Sequence, residues 1–149
     1  MAPASLEFLD HDAWWSIRRD LASGQAEGAY WTVRTFGLDG RVTFHLDGDI
    51  FVWGGFLLDL GCALATWLGD RPPKFRFLPV EQANPVVIEV TDGQVALHSG
   101  YQSVVVPLAT ATSGFRSFLE QLGDAALREA PGLATITGFE WLARYGPYR

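Results

Sequence analysis

Hydrophobic and polar residues alternate over several short stretches of the chain and twice give way to a helical repeat. Ala13–Ala22 places Trp14, Ile17, Arg18 and Leu21 at helical spacing behind Asp12, which reads as the N-cap, and Ser23-Gly24 ends the segment. Tyr30–Leu38 alternates Tyr30, Thr32, Arg34 and Phe36 with Trp31, Val33 and Thr35, a β-branched and aromatic mixture that predicts a strand. Asp39-Gly40 reads as a two-residue hairpin turn returning Arg41–Leu46 antiparallel to it, because an Asp-Gly pair adopts positive φ cheaply. Asp47-Gly48 reads as a second such turn, leading into a strand at Asp49–Trp53. From Gly55 to Leu68 apolar residues fall on every side, which predicts a helix buried nearly all round, closed by Gly69 just past its end.

The second half repeats the style. Arg71-Pro72-Pro73 turns the chain into Lys74–Val80, an edge strand ending near Pro79. Strands at Pro85–Thr91, Gln94–His98 and Tyr101–Pro107 follow, separated by turns at Asp92-Gly93 and Ser99-Gly100. Thr112 then caps a helix with Phe115, Phe118, Leu119 and Leu122 on one stripe. Gly123 reads as an interruption and Asp124 as the cap of a short continuation to Ala130. The tail reads as a strand or extended segment that packs Trp141, Tyr145 and Tyr148 onto the body. Together these predict one α+β domain over residues 1–149: a mostly antiparallel sheet of two β-meanders, with helices packed on one face.

The two meanders echo each other. Asp39-Gly40-Arg41-Val42-Thr43-Phe44-His45 and Asp92-Gly93-Gln94-Val95-Ala96-Leu97-His98 share the pattern Asp-Gly-x-Val-x-(Phe/Leu)-His. Whether this is duplication or the common look of hairpins, Val42, Phe44, Val95 and Leu97 should face the core, with His45 and His98 on the opposite face.

Composition narrows the function classes. With 149 residues, 48% of them hydrophobic and only 19% charged, the chain suits a single folded core and excludes global disorder. A net charge of −6 disfavours a nucleic-acid backbone and favours a cationic partner. The lone Cys62 cannot form an internal disulfide, and the N-terminus carries no basic leader, so the expected setting is cytoplasmic. Ile50–Leu68 is almost long enough to span a bilayer, but Asp59 at its centre and the Gly54-Gly55 break argue for a core strand followed by a helix.

Candidate chemistry is sparse. His45-x-Asp47-x-Asp49 could share a strand face as imidazole and carboxylate ligands, yet the Asp47-Gly48 turn breaks that regularity. Asp10-His11-Asp12 is a second compact group, more simply explained as a helix cap, so no metal is predicted. Cys62 sits mid-helix among apolar residues, as an inert thiol does. Asp59, His45 and His98 are the remaining acid/base candidates, with Asp59 paired to Arg71 or Arg76 or lining a pocket. His98 and its neighbour Ser99 should point to opposite faces. There is no glycine-rich phosphate loop, and no cofactor is predicted.

The order of helix, meander, apolar helix ending in Trp67-Leu68, second meander and the helix with Phe115-Arg116-Ser117-Phe118-Leu119 resembles small bacterial domain families of the kind that includes immunity proteins of polymorphic toxin systems. The resemblance covers roughly Trp31–Leu122. It implies a protein that is not an enzyme and that blocks a cognate toxin by binding it, and it assigns no site residue. The expected function is thus a non-catalytic, acidic, immunity-like binding protein for a basic partner, with Asp39, Asp47, Asp49 and Trp53 as contact surface. The alternative is a small enzyme or ligand-binding accessory protein of bacterial specialised metabolism, with a pocket between sheet and helix. A third reading is a homo-oligomer formed through the tail aromatics.

Overall fold

A computed structural model describes residues 2–9, 13–22, 33–34, 38–79 and 84–146. Strand β1 (Ala4–Phe8) precedes helix α1 (Ala13–Ala22), and the hairpin β2 (Asp39–Leu46) and β3 (Asp49–Phe56) leads into α2 (Leu57–Asp70). Strands β4 (Lys74–Phe77), β5 (Val86–Thr91), β6 (Gln94–Ser99) and β7 (Gln102–Pro107) lead into α3 (Leu108–Glu129). A 3-10 turn at Pro131–Thr135 and the short helix α4 (Trp141–Tyr145) follow. The strands form two antiparallel sheets, ordered β1-β2-β3 and β4-β5-β6-β7. The fold is α+β, as the alternation implied.

The Asp-Gly turns at 47–48 and 92–93 are present with positive φ at both residues, the geometry that matches the twist of the paired strands. Their strands alternate as the pattern requires: Val42, Phe44, Leu46, Val95 and Leu97 are buried, while His45 and His98 are half-exposed on the other face. Helix α3 packs against β1 and β2 of one sheet and β6 and β7 of the other, and α2 against β2, β3 and β4. The layer between is filled by aromatics. Phe44 meets Phe115 and Phe118 edge-on at 5.7 and 5.8 Å, and Trp67 stands perpendicular to Phe115 at 5.5 Å. The space between sheet and helix where a pocket was expected is therefore occupied by side chains.

Several expectations are corrected. Asp39-Gly40 is no turn: it opens β2, because the partner of β2 is the N-terminal strand β1, with Ala4 opposite Phe44 and Phe8 opposite Gly40. Of the strand expected at Tyr30–Leu38, Val33 and Arg34 are helical and the rest, apart from Leu38, lies outside the described residues. Helix α2 runs past Gly69 to Asp70. The left-handed residue after it is Arg71 (φ 50, ψ 46), held by its N–H to the Trp67 carbonyl at 2.7 Å and by its guanidinium over the Trp67 ring. Gly123 does not interrupt α3; a Cβ there would lie 2.8 Å from the Leu142 carbonyl, so the glycine admits the tail against an unbroken helix. The expected tail strand is the 3-10 turn and α4 instead, with Trp141 buried against Gly61, where a Cβ would come within 2.4 Å of the indole. Trp141 is thus a core residue and not an oligomer contact, Tyr145 is half-buried, and Tyr148 lies outside the described residues.

Candidate functional site

The two hairpin turns are drawn to one end of the molecule by the start of α3. The Leu108 N–H donates to the Gly93 carbonyl at 2.9 Å, and the Thr110 hydroxyl donates to the Asp47 carboxylate at 2.9 Å. Asp47, Asp49 and Asp92 are all exposed there, and no side chain caps the helix at Pro107. Carboxylates near the N-terminus of a 22-residue helix are stabilised by its dipole, which offsets part of the repulsion between them. Asp39 does not join them. It pairs in register with Phe56, at the far end of the hairpin from the Leu46–Asp49 pair. Trp53, expected on the contact surface, is only 4% exposed and packs against Phe77 at 6.1 Å, because it shares the inward face of β3 with Phe51.

The acid/base candidates are not assembled. Asp59 in the first turn of α2 is paired with Arg34, not with Arg71 or Arg76: Nε donates to Oδ1 at 2.7 Å, with the side chains 22% and 4% exposed respectively. This ion pair explains how a carboxylate is tolerated among Leu57, Leu58 and Leu60, and sequence alone could not find it because Arg34 lies on a segment that read as a strand. His45 and His98 stand on the outer faces of different sheets, opposite Ile50 and Ser103. His98 Nδ1 lies 2.8 Å from the Ser103 hydroxyl across the β6–β7 ladder, a pair that reasoning from neighbours in sequence missed. Cys62 is buried in α2. Asp10, His11 and Asp12 lie outside the described residues, and among the described residues no group of three or more His, Cys, Asp or Glu is placed to hold a metal. No described helix is long and apolar enough to cross a membrane.

A second feature lies at the opposite end. The β3 edge of one sheet and the β7 edge of the other run side by side without a shared backbone ladder, and Gln102 spans them. Its side-chain carbonyl accepts the Val52 N–H at 2.8 Å while its amide donates to the Val52 carbonyl at 2.6 Å. Beyond Gln102 the edges part around an open cavity of about 300 Å³ lined by Trp53, Gly54, Asn84, Ser99, Gly100 and Tyr101. Comparison with known proteins adds no name to either feature: no family model matches the chain, and neither a curated protein nor a solved structure does.

Proposed function

We propose that this protein is a non-catalytic binding module that engages a basic protein partner through the acidic pole formed by Asp47, Asp49 and Asp92. The observation that carries this reading is the convergence of both Asp-Gly turns on the start of α3, which gathers exposed carboxylates from separate sheets on one surface. Such a surface attracts a cationic partner over distances up to about a Debye length and orients it on approach. Inhibition of a cationic effector, as in immunity proteins, is the role this surface suits best. The enzyme alternative, with Asp59, His45 or His98 as acid/base group, is the less favoured reading, because Asp59 is held in an ion pair with Arg34 and the two histidines stand on outer faces of different sheets.

The test uses Asp47→Asn/Asp49→Asn/Asp92→Asn. Asparagine keeps the side-chain shape and tolerates positive φ, which Asp47 and Asp92 adopt, so the turns persist while the charge is lost. Tagged wild-type and variant proteins are used to capture partners from native-host lysate, and the eluates are weighed by native mass spectrometry. A stoichiometric basic protein held by the wild type and lost by the variant is expected. A partner retained equally by both, or a bound small molecule and no protein, would contradict the reading.

A further inference from the structure

Three Asp-Gly pairs occur in the chain, at 39–40, 47–48 and 92–93, and the fold treats each of them differently. An aspartate followed by glycine is open to a reaction within the chain, because no side chain crowds the following nitrogen. That nitrogen attacks the side-chain carboxyl carbon; a C–N bond forms, a C–O bond breaks, and water leaves a succinimide ring. Water then reopens the ring at either carbonyl. One opening returns aspartate, and the other gives isoaspartate, in which the main chain runs through the former side-chain carboxyl group. No oxidant, reductant or cofactor takes part, so what decides between the three pairs is whether the carboxyl group and the next nitrogen are free to meet.

Asp39-Gly40 is closed to this reaction. Asp39 is exposed, but Gly40 is buried in the central strand of its sheet, opposite Phe8 on one side and Gly55 on the other. The peptide group between the two residues is pinned as well, since the Leu9 N–H donates to the Asp39 carbonyl at 3.0 Å. Asp47-Gly48 lies in an exposed turn, yet its carboxylate is tethered to α3 by the Thr110 hydroxyl at 2.9 Å. Asp92-Gly93 has neither restraint. Both residues are exposed, and neither the Asp92 carboxylate nor the Gly93 N–H meets a partner among the described residues. Asp47 and Asp92 have almost the same φ, 52 and 51, so backbone conformation does not separate the two turns and the Thr110 tether does.

We propose that Asp92-Gly93 is this protein's site of isoaspartate formation, with Asp47 slowed by Thr110 and Asp39 protected by its sheet. The product keeps its negative charge but lengthens a two-residue turn by one methylene. The Thr91–Gln94 pair that closes the β5–β6 hairpin then loses its geometry, and so does the hydrogen bond from the Leu108 N–H to the Gly93 carbonyl. The reaction needs no partner at the acidic pole, so it holds whether or not that pole binds a basic protein.

The experiment incubates full-length protein in warm, neutral buffer for several weeks and locates isoaspartate by peptide mapping and mass spectrometry. Isoaspartate should accumulate several-fold faster at Asp92 than at Asp47, and slowest at Asp39. Thr110→Val removes the tether and should raise the Asp47 rate to that of Asp92. In the chain unfolded by urea all three pairs should convert at similar rates, because the ranking comes from the fold. The Gln94 and Leu108 amides of the aged protein should exchange faster with solvent. Asp92→Asn closes the same ring with loss of ammonia and should convert faster still, so the asparagine variant described above is assayed fresh. Equal rates at Asp92 and Asp47 in the folded protein, an Asp47 rate indifferent to Thr110→Val, or no isoaspartate at Asp92 while the unfolded chain converts, would overturn the proposal.

Discussion

The hairpin β2-β3 followed by α2 and the meander β5-β6-β7 followed by α3 both pass from an antiparallel sheet straight into a helix, yet their helices are set into the protein differently. Helix α3 buries one stripe, including Phe115, Phe118, Leu119 and Leu122, and keeps Arg116, Glu120 and Arg128 in solvent. In α2, by contrast, ten residues are buried, the charged Asp59 among them. An amphipathic helix announces its orientation in its own residues. A helix covered all round is fixed by partners elsewhere in the chain, here Arg34 on Asp59 and Trp141 on Gly61.

This contrast can be broken or sharpened by mutation, and the largest effect should come where both halves meet. Phe44 of the first meander touches Phe51 of its own half and both Phe115 and Phe118 of α3, so Phe44→Ala should cost about 3–5 kcal/mol in chemical denaturation. Asp59→Ala leaves a partly buried guanidinium without this carboxylate and should cost about 3 kcal/mol. In Arg34→Met/Asp59→Leu much of that loss should return, and a double variant as unstable as the single one would remove the ion pair from the account. The glycines of α2 separate next. Gly61→Ala drives a methyl into the Trp141 ring and should lower stability by about 1–3 kcal/mol, whereas Gly69→Ala, which meets nothing within 4 Å, should raise it by about 0.5–1 kcal/mol. The smallest effect belongs to Trp141→Phe. The buried indole N–H has no partner among the described residues, so removing it offsets the lost ring contact and the net change should stay within about 1 kcal/mol.

How much of this was legible in the sequence follows the same division. Strands β2, β3, β5, β6 and β7 were readable because alternation is local and because Asp-Gly turns fix register. Strand β1 was missed although Ala4, Leu6 and Phe8 alternate with polar residues: five residues at a terminus form a strand only because β2 has an edge to offer. Gly69 was read as a helix stop because glycine usually takes the left-handed position, whereas the chain places Arg71 there on the strength of its contact with Trp67. Among the site residues, the exposure of Asp47 and Asp49 followed from their place in and just after a turn. The contribution of Asp92 did not, since it depends on α3 gathering both turns, and Trp53 was misplaced because an aromatic on an alternating strand carries no mark of which face is inward. The Gln102 bridge was invisible because it joins strands 50 residues apart through one side chain.

That bridge is the point on which the arrangement of the two halves turns, and amide hydrogen exchange reads it directly. With Gln102 accepting from the Val52 N–H and nothing among the described residues accepting from Gly54, the Val52 amide should exchange slowly and Gly54 quickly, and Gln102→Ala should release Val52 while leaving the Thr43 and Val95 amides protected. Equal protection of Gly54 and Val52, or a Val52 amide indifferent to the loss of Gln102, would mean that β3 and β7 form a continuous ladder and that no open edge exists.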